Sequence, residues 1–167
     1  MTPRRLTKGD GAVAAVLAIA YVAVLVKTAH TLGYARDEGF YFAAAESYAG
    51  WFEKLFHAPM AALRRSAVDA AFGANHEHPV FAKSLFSLSW MFLYKRFHLF
   101  AEEGTSFRFP GMCFAGLTVA TLYLWGTEAK SRRVGLLAAL SFAQSAGDYP
   151  KAGSTIRYVV PFAPGGL

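Results

Sequence analysis

Of the 167 residues in this chain, 54% are hydrophobic, 16% aromatic and 17% charged; a soluble domain carries roughly 25% charge, so the balance argues against an ordinary soluble protein. The formal net charge of +6 does not mark a nucleic-acid binder, because Lys and Arg flank apolar runs instead of gathering on one face. Cys113 is the only cysteine, which rules out a disulfide framework or a cysteine metal site.

Residues 1–10 form a basic tail containing Arg4, Arg5 and Lys8. The uncharged run 11–26, GAVAAVLAIAYVAVLV, has two readings, a signal peptide or a first transmembrane helix. It passes directly into Lys27, Thr28, Ala29 and His30 with no small-x-small cleavage site. That favours an uncleaved span, close to the lower limit of about 17 residues. Residues 27–79 read as an extracytoplasmic loop. Within it, Phe40, Ala44, Tyr48, Trp51 and Leu55 recur at helical spacing and predict an amphipathic helix over 38–56. Its Trp51, Phe52 and Phe56 suit the membrane–water boundary. A second helix is expected over 59–72, with Met60, Leu63, Ala67 and Ala71 on one face, Arg65 and Asp69 paired at i,i+4, and Gly73 as its stop. The competing reading, a helix pair from a soluble core, is weaker with spans on both sides.

Residues 80–100 form the next apolar stretch, opened by Pro79 and closed by Lys95 and Arg96, which can snorkel to the boundary. Residues 107–126 hold no charge except Arg108 and are long enough to cross, whereas 134–146 supply only part of a span. In the tail 147–167, the alternation of Ile156, Tyr158 and Val160 reads as a strand. The expected fold is thus an all-α integral membrane protein. It has three to four transmembrane helices, an extracytoplasmic loop of amphipathic juxtamembrane helices, and a short β-like tail. Orientation by charge is divided. With the amino terminus inside, Arg4, Arg5, Lys8, Lys95, Arg96 and Arg108 are cytoplasmic, but Lys130, Arg132 and Arg133 fall outside; the first helix decides for an inside amino terminus.

Two clusters carry candidate chemistry. Asp37 and Glu38 set adjacent carboxylates at the membrane surface, where a low-dielectric wall and a neighbouring acid can equip one of them to take a proton from a hydroxyl. Equally, Asp37 caps the following helix and Glu38 complements its dipole. At the far end of the loop, His76, Glu77 and His78 fit no helical metal-ligand spacing and lack a third partner, so no metal is expected. Lys83, one turn into an apolar helix, either meets an anion or snorkels to the surface.

The order of these residues resembles the bacterial family 39 glycosyltransferases, the dolichyl-phosphate-mannose protein mannosyltransferases and the aminoarabinose transferases, which share the polytopic GT-C fold. The matching positions are Asp37-Glu38 after the first span, Tyr41 shortly afterwards, and His78-Pro79 leading into Ala82-Lys83. Arg108-Phe109-Pro110, Gly116 to Val119 and Arg132 to Leu140 are similar to that family's third and fourth helices. Val80 departs from the pattern, which usually has a second proline. The resemblance implies transfer of a sugar from a polyprenyl-phosphate donor to an extracytoplasmic hydroxyl. Asp37 would be the base, Glu38 would place the acceptor or donor, and Tyr41, His78 and Lys83 would bind substrate. It also implies a multi-pass protein of the bacterial inner membrane with no cofactor, whose partners are the lipid-linked donor and membrane lipids.

Members of that family are far longer, so the chain is expected to be an amino-terminal fragment lacking a carboxy-terminal portion and inactive alone. Residues 147–167 resemble the start of mature Bug-type receptors of tripartite tricarboxylate transport, and 132–146 could pass for their signal peptide. Two other readings stand beside the transferase. One is a small non-enzymatic membrane protein that binds a partner or the bilayer surface. The other is a receptor start joined to an unrelated leader.

Overall fold

The computed structural model describes residues 4–29, 38–73 and 79–145. Asp37, His78 and the expected strand-like tail lie outside the described residues. Among the described residues every regular element is helical: α1 (Lys8–Thr28), α2 (Glu38–His57), α3 (Pro59–Ala62), α4 (Arg65–Phe72), α5 (Val80–Ser89), a π-helical segment (Trp90–Arg96), α6 (Glu103–Ala129) and α7 (Arg132–Ser145). The chain divides into two compact units, one made of residues 1–28 and 111–167, the other of Ala29–Pro110.

In the first unit, α1 starts on a reciprocal cap. The Thr7 N–H donates to Asp10 Oδ2 at 2.9 Å and the Asp10 N–H to Thr7 Oγ1 at 3.3 Å, satisfying two donors that the first turn leaves unbonded. The uncharged run follows, and Lys27 in the last turn suits the negative end of the helix dipole. α1 packs antiparallel to α6: the Arg4 N–H donates to the Glu128 carbonyl at 2.9 Å, and further along, a Cβ on Gly116 would stand 2.6 Å from Val22 Cγ2 and 3.1 Å from the Ala18 carbonyl oxygen. Only glycine permits that approach. α7 then folds back on α6. The Ser131 hydroxyl accepts from the Val134 N–H at 3.4 Å as its cap, and any side chain at Gly135 would collide with the Tyr123 carbonyl and the Thr127 hydroxyl. Ala14, Tyr21, Val119, Tyr123 and Ala139 form the core.

This packing changes the charge reading. Asp10 Oδ1 accepts from Arg132 Nε at 2.6 Å, so the start of α1 and the α6–α7 turn lie at one end of the unit. Lys130, Arg132 and Arg133 therefore accompany Arg4, Arg5 and Lys8 at one end of this unit.

Two helices are long and apolar enough to cross a membrane, α1 and α6, judged by length and composition. Their apolar windows are 11% and 22% buried, whereas the core helix of a soluble protein is mostly buried. Side chains such as Val16, Ile19, Val24 and Leu117 face outward instead. The span expected at 80–100 is not a continuous α-helix. The α-helical part has 10 residues and the π-helical part 7, which at about 1.5 Å per residue reaches roughly 25 Å, short of a hydrocarbon core of about 30 Å. His98, with φ 52°, lies just beyond its end.

The second unit is built on α2. Ala45 and Ala49 are buried with Trp90 and Phe107, and Phe42 and Trp90 stack on Phe107 at centroid distances of 4.4 and 5.4 Å. The helix expected over 59–72 is broken: Leu63 ends α3, and Arg64 is extended at ψ 135° before α4 begins. α2 grips both pieces, through Trp51 Nε1 donating to the Ala62 carbonyl at 2.9 Å and Ser47 Oγ to the Ala71 carbonyl at 3.0 Å. Trp51 also packs on Phe52 and Phe72, so it holds α2 to α4, and Phe56, Met60 and Leu63 are among the outward apolar groups, with Phe40, Phe81, Phe97 and Leu99.

Pro110 lies inside α6 and has no N–H for the carbonyl of Ser106. The Ser89 hydroxyl donates to that carbonyl at 2.5 Å in a buried setting. A buried acceptor left unpaired costs about 1–3 kcal/mol. Ser89→Ala is therefore expected to lower unfolding stability by about 1–2 kcal/mol. Pro110→Ala, which restores the missing N–H, should offset most of that loss in the double variant, as read by denaturant unfolding in detergent.

Candidate functional site

The candidate residues meet the structure unequally. Asp37 and His78 fall outside the described residues; Glu38, Tyr41 and Lys83 are placed. Glu38 is the first residue of α2, where a carboxylate complements the positive helix end. Both of its oxygens accept from one guanidinium: Arg108 Nε reaches Oε1 at 2.9 Å and Nη2 reaches Oε2 at 2.7 Å. The side chains of Arg108 and Glu38 are 11% and 18% exposed, so this fork is largely withdrawn from water. Arg108 Nη1 also lies 3.5 Å from the Ala29 carbonyl oxygen.

That geometry assigns Glu38 a holding role. A carboxylate engaged on both oxygens by a planar fork fixes the register between two segments; the arrangement is not that of a base turned toward a hydroxyl. In the sequence Arg108 stood out as the lone charge at the edge of an apolar stretch and as part of Arg108-Phe109-Pro110, without its partner. A charge in such a segment requires a named partner, and that was the signal by which the pair could have been sought.

Tyr41 is half-buried on α2, one turn beyond Glu38. Lys83 is completely buried on α5 and does not snorkel. Its ammonium lies 5.3 Å from the centroid of the Tyr48 ring, within cation–π range. Tyr48 is about 15 Å of helix rise beyond Glu38, so this contact belongs to the middle of α2 and the fork to its start. One turn along α5 from Lys83, the Ser87 hydroxyl is buried, and neither it nor the Tyr48 hydroxyl has a hydrogen-bond partner among the described residues. Lys83, Ser87 and Tyr48 thus give the α2–α5 contact a polar interior, which sequence periodicity did not disclose. Among the described residues no three His, Cys, Asp or Glu side chains converge as metal ligands.

The chain matches no protein-family model, no curated protein and no solved structure.

Removing one partner of a buried ion pair typically costs about 3–5 kcal/mol, because the other charge is left uncompensated. Arg108→Leu is expected to destabilise the chain by about 3 kcal/mol, and Arg108→Lys by less, since it keeps the charge and loses the fork. The double variant Glu38→Gln, Arg108→Gln should be more stable than Arg108→Leu; a double-mutant cycle read by unfolding in detergent checks this.

Proposed function

We propose that the chain is a membrane-embedded part of a glycosyltransferase that moves a sugar from a polyprenyl-phosphate donor to a hydroxyl on the outer side of the bacterial inner membrane. The order of Asp37-Glu38, Tyr41 and His78-Pro79-x-x-x-Lys83 supports this reading. The observation that carries it is the enclosure of ionic groups within the second unit, which in the chain follows α1 and precedes the apolar part of α6: the Glu38–Arg108 fork is largely withdrawn from water and Lys83 is fully buried. Ionic groups enclosed in this way are expensive to maintain and mark function more often than support.

In the proposed reaction Asp37, next to the clamped Glu38 in sequence, accepts the hydroxyl proton as the acceptor oxygen attacks the anomeric carbon. The bond to the carrier phosphate breaks with its electrons retained by that phosphate. Charge develops at the anomeric carbon and on the leaving oxygen, so a cation near the phosphate lowers the barrier. Lys83 supplies that cation as a point charge, which requires α2 and α5 to admit the donor, since its ammonium is enclosed here. Glu38 acts as a positioning residue through Arg108, and Tyr41 and His78 line the donor or acceptor.

The second reading is a non-enzymatic membrane protein, favoured by the exposed Phe56, Met60 and Leu63 where α2 meets α3. A short-chain polyprenyl-phosphate sugar offered to the chain in nanodiscs separates the two. Lys83→Met should weaken donor binding about tenfold, whereas Asp37→Asn should leave binding intact and reduce transfer in assembled membranes by about a hundredfold or more. Absence of donor binding, or full transfer by Asp37→Asn, would sink the proposal. Weaker bilayer association on changing Phe56 and Met60 to Ser, with no donor binding, would favour the second reading.

A further inference from the structure

The first unit gathers Arg4, Arg5 and Lys8 from one end of the sequence with Lys130, Arg132 and Arg133 from the other. Arg132 is engaged, by Asp10 at 2.6 Å and by the Thr7 hydroxyl at 3.3 Å, and in forming that contact it joins the two segments. Among the described residues no ion pair involves Arg4, Arg5, Lys8, Lys130 or Arg133, and all five are exposed. Among the described residues the neighbouring acids do not cancel them: Asp10 is buried and taken up by the half-exposed Arg132, which leaves Glu128. In the last turn of α1 the basic residue is Lys27.

Directly beyond these cations the surface is apolar. Val13 and Val16 on α1 and Leu136, Leu137 and Leu140 on α7 face outward, and Trp125, one turn before Glu128, is 68% exposed. A band of cations, followed about one helical turn deeper by an exposed indole and aliphatic side chains, is the order of environments met on entering a bilayer from its headgroups. α7, with 14 residues, spans only about 21 Å. Its basic start at Arg132 and Arg133 sits beside that band while its apolar face continues along the hairpin.

We propose that this end of the unit is a binding surface for anionic phospholipid headgroups. The occupant follows from charge and depth together. A duplex nucleic acid would match the cations but would meet aliphatic side chains within a turn, whereas a lipid presents phosphate at the level of the arginines and acyl chain at the level of Val16 and Leu137. Basic groups at a membrane surface attract the anionic leaflet, so the surface also orients the protein, with the start of α1 and the α6–α7 turn on the cytoplasmic side. This holds whether or not the chain transfers sugars.

The test uses the intact chain in phosphatidylcholine bilayers with a small fraction of either brominated phosphatidylglycerol or brominated phosphatidylcholine, and reads the quenching component that vanishes in Trp125→Phe. Phosphatidylglycerol should quench Trp125 at a mole fraction about tenfold lower than phosphatidylcholine. The preference should collapse in high salt and in the variant Arg5→Gln, Lys130→Gln, Arg133→Gln, which spares the Asp10–Arg132 contact and should unfold at the same midpoint as the parent. Equal quenching by the two lipids would overturn the proposal, as would a preference that survives in the triple variant or displacement of the lipid by a short DNA duplex. A second measurement is independent of lipid affinity. In a Cys113→Ser background, Leu6→Cys and Ser131→Cys should react with an impermeant maleimide from the same side of the membrane, and labelling from opposite sides would refute the shared surface.

Discussion

Asp10 is enclosed and held by Arg132, and the arrangement of the first unit depends on that contact. The two residues are 122 positions apart, yet their bond brings the start of α1 to the turn between α6 and α7. The same carboxylate caps α1 through Thr7, so one side chain begins a helix and joins it to a hairpin. Once those ends are fixed together, α1 and α6 are antiparallel, and the intervening chain starts and finishes on the same side of any membrane they cross. Within that unit, Arg4, Arg5 and Lys8 share one end with Lys130, Arg132 and Arg133.

Helix association in that unit is achieved by small residues. Lipid chains are as apolar as Leu, so apolar helices in a bilayer gain little from burying bulk against each other and gain more from close backbone approach. Gly116 allows α1 to reach α6, and Gly126 and Gly135 meet between α6 and α7. Tyr21, Val119 and Tyr123 are enclosed, but many large side chains, Val16, Ile19, Val24, Leu117 and Trp125 among them, face outward, where a soluble core would enclose most of them. This is the physical content of calling α1 and α6 candidate spans.

The second unit works on a different principle. Its α2 is held by aromatic stacking on Phe107, by hydroxyl and indole donors aimed at backbone carbonyls, and by the Glu38–Arg108 fork. The π-helical segment and Pro110 both interrupt regular helical bonding, and Ser89 supplies the donor that Pro110 removes. Interruptions of this kind are common at sites that bind or react. Here they occur in the unit that encloses Lys83, Tyr48 and Ser87.

By itself the sequence determined the elements whose signal is local. The uncharged run 11–26 and the long apolar stretch around 107–126 read as crossings because composition over about twenty residues is all such a helix requires. The periodicity of Phe40, Ala44, Tyr48 and Trp51 located α2 to within a residue at its end, because a helix that packs on one side must repeat every 3.6 residues. Tertiary structure decided what depends on pairing between distant positions. It engaged Glu38 with Arg108 and enclosed Lys83 beside Tyr48. It divided 80–96 into a short α-helix and a π-helical segment, and it brought the α6–α7 turn with Lys130 to Arg133 to the end of the unit that holds Arg4 and Arg5. A residue's type states which partner it needs, and only the folded chain selects which of the available partners it meets.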